Sequence, residues 1–155
     1  MRLDHEWIAA HIPHQNGMCL LDEVIEWTAA SIRCRSGSHR AGDNPLRAHG
    51  RLGAACGIEY AAQAMAVHGA LRAADSQVAP RPGLLASVRG VTMSVARLDD
   101  IQDDIIASAT HIHGDAEMVL YEFEVSDGMR VLLAGRATIA FGSARSGHNA
   151  MRAAP

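Results

Sequence analysis

GRLGAACGIEYAAQAMAVHGALRAA, residues 50–74, is the stretch on which the fold turns. It is rich in Ala and other helix formers and apolar nearly all the way round. It therefore predicts a helix from Gly50 to about Ala74 that neighbouring structure covers on most sides. Ala54, Ala55, Gly57, Ala61, Ala62, Ala64 and Ala66 are small enough to let a sheet or another backbone approach closely.

On the N-terminal side, Asp4 can cap a short helix through Trp7, Ile8 and His11. Pro13 stops that helix, because it lacks a donor and restricts the residue before it. MCLLDEVIEW and ASIRCRS read as two strands joined by a tight turn near Thr28 and Ala29, followed by a loop from Gly37 to about His49. On the C-terminal side, after a loop at Pro80 to Gly83, four runs alternate or are continuously apolar: LLASVRGVTMSV, DIIASATHIH, MVLYEFEV and VLLAGRATIAF. Turn signals at Gly114-Asp115 and Asp127-Gly128 separate the last three, as antiparallel hairpins require. Two strands, one long helix and four strands make an α+β chain in which an antiparallel sheet wraps around one central helix, the logic of the hotdog fold. Such a sheet leaves an edge available to a second copy or a relative.

The 155 residues suffice for one domain with a real core and are too few for two of ordinary size. Residues 1–142 are expected to form it. Residues 143–155, SARSGHNAMRAAP, have little periodicity and read as a loose tail. A net charge of −3, with Lys and Arg scattered, offers no basic stripe for a nucleic-acid backbone. No apolar run reaches membrane-spanning length and the start lacks a basic-then-apolar signal, so a cytoplasmic location is the default expectation. Cys19, Cys34 and Cys56 are odd in number and far apart, which suggests reduced, mostly buried thiols and neither disulfides nor a thiolate zinc site.

Glu59 places an ionisable carboxyl among Cys56, Ile58, Ala62 and Ala66, where desolvation alone should raise its pKa towards the range useful for proton transfer. Gln63, one turn on, can orient that carboxyl or a substrate carbonyl. The competing structural reading has Glu59 in a buried ion pair with Arg89 or Arg136 and Gln63 satisfying a backbone group.

IPHQNGMCLLDEV resembles the opening of β-hydroxyacyl-acyl-carrier-protein dehydratases, where a Pro-His pair precedes a short apolar strand ending in Asp. GIEYAAQAMA resembles their central helix, in which Gln follows Glu by four residues. With NPLR, GRL and LASVRGVTMSV, the chain is similar over about residues 8 to 141 to the hotdog dehydratases of aryl-polyene-type biosynthesis. The resemblance implies dehydration of 3-hydroxyacyl thioesters delivered by acyl-carrier protein or coenzyme A, and no cofactor or metal is expected. It also implies a homodimer or a heterodimer with another hotdog subunit. In that family the helix carboxyl works with a His on the preceding loop, contributed across a dimer interface. By position Glu59 takes the carboxyl role, while the slot of the His falls at or near Asn44. AGDNPLR partly resembles the loop of hotdog enoyl-thioester hydratases, with Arg47 where their His stands. Where the family commonly begins the helix with Pro-Gly, this chain has Gly53-Ala54, and the Ala54 amide is the candidate donor to a thioester oxygen.

Dehydration needs one group to remove the proton beside the thioester carbonyl and another to protonate the departing hydroxyl. With no His at position 44, the second group is sought in His49, nearest in sequence, in His39 earlier on the loop, in His14 of the Pro-His element, or in a different hotdog subunit. His14, Ala54 and Met18 are the candidate substrate-binding residues, with Met65 as a further apolar lining. His111 and His113 alternate on one strand without a third ligand, and His68 reads as a packed residue. The acidic run Asp99, Asp100, Asp103 and Asp104 reads as a solvated turn. Two other functions remain open: thioester hydrolysis, with Glu59 activating water, and a non-catalytic partner subunit that shapes the acyl tunnel of another dehydratase.

Overall fold

The structure is a computed structural model describing residues 2–14 and 17–142, so the tail expected at 143–155 lies outside the described residues. Helix α1, His5–His11, is capped by Asp4, whose carboxylate accepts the Trp7 amide at 3.1 Å. Strands β1, Glu23–Trp27, and β2, Ser31–Ser36, precede the long helix α2, Gly57–Asp75. Strands β3, Gly83–Met93, β4, Ile105–Gly114, β5, Met118–Ser126, and β6, Val131–Phe141, follow it. All pairings are antiparallel, in the order β1-β2-β4-β5-β6-β3, which is the expected hotdog arrangement of a sheet around one helix.

Helix α2 begins later than its composition predicts. The backbone just before it is spent elsewhere: the Leu52 amide donates to Asp99, the Leu52 carbonyl accepts from Leu98, and the Ala54 amide donates to the Ala96 carbonyl. Only a 3-10 turn, Ala54–Cys56, fits between this anchor and Gly57. The first strand is also shorter than MCLLDEVIEW suggests, because Met18 to Leu21 face the helix instead of joining the ladder.

The sheet covers one side of α2, burying Tyr60, Ala61, Ala64, Val67, His68 and Leu71 against Ile32, Ile105 and Val125 of the core. The opposite stripe of small residues is left to a groove, so the helix is not enclosed all round. Cys19 and Cys34 are buried free thiols, and burial pushes the Cys34 thiol up to about 12. The acidic run is only partly a solvated turn. Asp99 pairs with Arg97, and Asp104 is held by Arg35 and Arg40, which ties the loop after β3 to β2 and the turn beyond it. A carboxylate that receives several donors is better placed there than in water.

Strand β3 pairs with β6 on one side only, and Leu84, Leu85 and Met93 are exposed along it. An eleven-residue edge with apolar side chains is the kind of surface that single chains normally protect. No described helix is long and apolar enough to cross a membrane.

Candidate active site

Gln63 is fully buried, and both ends of its amide are occupied. Its oxygen accepts the Leu20 amide at 2.8 Å, and its nitrogen donates to the Met18 carbonyl at 2.7 Å and to Glu59 Oε1 at 3.1 Å. The Leu20 carbonyl in turn accepts the hydroxyls of Ser36 and Ser38. The segment that enters β1 is thereby fastened to the helix on one side and to β2 and its following turn on the other. Burying these polar groups is tolerable because nearly every donor and acceptor has found a partner.

That fastening fixes where the preceding Pro-His element lies. His14 Nε2 sits 2.9 Å from Glu59 Oε1. Both side chains are about a quarter to a third exposed, so substrate can reach them. Glu59 Oε1 is thus engaged by His14 and Gln63, leaving Oε2 for other work. His14 Nδ1 is buried with no hydrogen-bond partner among the described residues.

The expectation that desolvation raises the Glu59 pKa is corrected by this contact. The hydrogen bond from His14 lowers it first, desolvation opposes, and the bond from Gln63 lowers it further, for a net shift below the usual value. Neither arginine of the competing structural reading reaches Glu59. Arg136 pairs with Glu122, and Arg89 lies opposite Arg136 across the β3–β6 ladder.

The dyad opens into a groove of about 820 Å³ that runs along the uncovered stripe of α2, floored by Ala62, Ala66, Gly69, Ala70 and Ala73. Ile12 and Pro13 close one end. Leu84 and Leu85 of β3, with Val119, Ile139 and Phe141, form the far wall, and Arg72 and Tyr121 lie along it as well. Small side chains at i, i+4, i+7 and i+8 on one helix face are what make room for it.

The remaining sequence candidates fall elsewhere. Asn44 is buried, with its amide nitrogen donating to the Ser38 carbonyl and the Tyr60 hydroxyl and its oxygen accepting the Leu46 amide, so it organises the loop and does not meet Glu59. His49 is an exposed residue at φ 53° in the turn between Ala48 and Arg51 and lies outside the groove. The Ala54 amide, expected to face a thioester oxygen, already donates to Ala96 at 3.0 Å and is not available for that purpose. Met18 contributes its carbonyl to Gln63 and does not line the groove, whereas Met65 does. His39 is buried against the Ile101 carbonyl. His68 is packed between Tyr121 and the Thr28 carbonyl, while His111 stands edge-on to Tyr121, with a register shift separating it from His113.

The loop position at Asn44 offers no histidine, but His14 of the same chain meets Glu59. The pairing was hidden by a separation of 45 positions in the sequence. The Pro-His element was the only local signal for it. Arg72 and Tyr121 carried no signal at all, because a groove assembled from a helix and a distant strand leaves no spacing in the sequence.

Two expectations follow. Replacing Asn44 with Ala strands buried partners and should cost roughly 1–3 kcal/mol in urea unfolding while leaving the Glu59–His14 contact in place. Glu59 stabilises the fold as the carboxylate, above its unfolded pKa of ~4.3, and that stabilisation is lost as pH falls through its lower folded value. The stability difference between wild type and Glu59→Gln should therefore shrink as pH is lowered from 6 to 3. A difference that stays constant over this range would mean that His14 does not hold the carboxylate.

Comparison with known proteins places the chain in a family. No curated protein matches the sequence. Among solved structures, the dehydratase heterocomplex ApeI:P from Xenorhabdus doucetiae is similar with a TM-score of 0.79 and 24% identity, covering 88% of this chain and 91% of that one. A mutant thioesterase from Pseudomonas aeruginosa is similar with a TM-score of 0.62 and 17% identity over 89% and 93% of the two chains. A thioesterase from Haemophilus influenzae has a TM-score of 0.58 and 11% identity, over 81% of each chain. These likenesses show the hotdog fold. The ApeP-like family model, described as ApeP dehydratase, matches residues 6–145, and the chain belongs to that family.

Proposed function

We propose that this chain dehydrates 3-hydroxyacyl thioesters carried on an acyl-carrier protein, with Glu59 and His14 sharing the two proton transfers. The observation that carries the reading is the 2.9 Å contact between them at the end of an apolar groove. A lowered pKa keeps Glu59 ionised at neutral pH, which suits a base and not an acid. Its unengaged oxygen, Oε2, takes the proton from the carbon beside the thioester carbonyl. His14, when both of its ring nitrogens carry a proton, gives the one on Nε2 to the β-hydroxyl, which leaves as water. The proton on Glu59 Oε2 is then relayed by water to the vacated His14 Nε2, and both groups regain their starting states. Gln63 positions the carboxylate throughout.

Within this reading the exposed edge of β3 pairs with a second hotdog subunit, which roofs the groove and excludes water from the reacting carbon. The likeness to a chain of a dehydratase heterocomplex supports a subunit of another kind as that partner. The thioesterase folds among the similar structures keep hydrolysis as the second reading, with Glu59 Oε2 activating water in place of carbon.

The test measures enoyl formation and free-thiol release on one 3-hydroxyacyl thioester, with the chain alone and with candidate hotdog partners. Glu59→Gln and His14→Ala should each lower enoyl formation by about 10²–10⁴-fold. Thiol release without enoyl product favours hydrolysis. Full dehydration by a complex carrying both substitutions would make this chain a non-catalytic partner.

A further inference from the structure

Arg72 is a guanidinium set into the wall of a mainly apolar groove, well along the helix from Glu59 and His14. Among the described residues no carboxylate pairs with it, although Arg33, Arg35, Arg40, Arg97, Arg130 and Arg136 all have one. A half-buried charge without a counter-charge is unfavourable unless something else supplies it.

The wall beside it is well ordered. His68 Nε2 faces the Thr28 carbonyl at 2.8 Å, and a carbonyl only accepts, so the ring proton resides on Nε2. His68 Nδ1 is then an acceptor and takes the Tyr121 hydroxyl proton at 2.8 Å. Tyr121 and Arg72 line the same groove, so the oriented phenol borders the wall in which the guanidinium is set. Arg72 itself is half-buried there rather than extended freely into solvent. Arg81, at the same end, has spent both terminal nitrogens on the Ala116 and Gly142 carbonyls.

Distance indicates what the charge is for. Arg72 follows Glu59 by thirteen positions, an axial rise of roughly 20 Å. An extended chain gains about 3.5 Å for every three bonds, so the roughly fifteen bonds from the acidic carbon of a pantetheine thioester to its phosphorus span ~17 Å. An unsubstituted acyl chain laid along the groove would instead end against an unmatched cation. We infer that Arg72 receives the phosphate of the pantetheine arm, with the arm lying along the small-residue floor of α2 and the thioester at Glu59 and His14. The inference rests on the thioester reading of the site, though not on whether the reaction is dehydration or hydrolysis.

The test has a binding arm and a kinetic arm, both on the full chain with its hotdog partner. Calorimetry compares 4′-phosphopantetheine with pantetheine. Wild type should bind the phosphorylated form about tenfold more tightly. Arg72→Met, which keeps the apolar stem, should erase that preference, and Arg72→Lys should retain part of it. In turnover, Arg72→Met should raise KM about tenfold for a phosphopantetheine thioester and leave kcat, together with KM for the matching N-acetylcysteamine thioester, unchanged. Equal affinity of wild type for the two ligands, or no binding of either, overturns the inference. So does an equal loss on both thioesters, which would make Arg72 a structural partner of Tyr121, or a loss confined to acyl chains that end in a carboxylate. Binding needs no turnover, so a chain that prefers the phosphorylated ligand yet forms no enoyl product sinks the dehydratase reading and leaves this one standing.

Discussion

The amide of Gln63 is the constraint on which this molecule depends. A single buried side chain holds the backbone at Met18 and Leu20 to helix α2 and steadies Glu59 one turn earlier. Because the strand-entry segment cannot drift from the helix, the Pro13-His14 element just before it is carried to the carboxylate. Removing the amide would leave two backbone groups and a carboxylate oxygen short of partners in a confined space, a cost larger than the loss of one ordinary hydrogen bond. Structure and chemistry are coupled there, and the same atoms serve both.

The helix shows a similar economy. One face is packed conventionally against the sheet by Tyr60, Ala64, Val67 and Leu71, while the other carries Ala and Gly where a larger side chain would fill the groove. Composition made the whole helix look buried because small residues read as apolar wherever they point. The finished sheet encloses only half of it. The rest is a site boundary bordered by the edge strand β3, whose other side is open, which is why a partner subunit belongs in the functional account.

Much of the architecture was legible in the sequence, since strand periodicity and Gly-Asp or Asp-Gly turns are local properties. Glu59 and Gln63 were legible for the same reason: polar groups stand out in an apolar helix. Their environment was not. The direction of the Glu59 pKa shift depends on His14, which the chain brings in from 45 residues away, and desolvation considered alone gives the opposite sign. Ala54 illustrates the converse error, for a helix start with a plausible free amide had already spent it on Ala96. Asn44 was singled out as the slot of the family histidine and His49 by its nearness in sequence to Glu59, but one is locked into a loop with Tyr60 and the other faces solvent.

Whether Glu59 and His14 act as one unit is measured most directly by a double-mutant cycle on kcat/KM for enoyl formation from a 3-hydroxyacyl thioester, using wild type, Glu59→Gln, His14→Ala and the double variant. Groups that pass a proton between them lose their function together, so the double variant should be about as slow as the worse single variant, far from the product of the two losses. Losses that multiply would mean that the two residues act independently, and would contradict the shared proton transfer at the centre of this account.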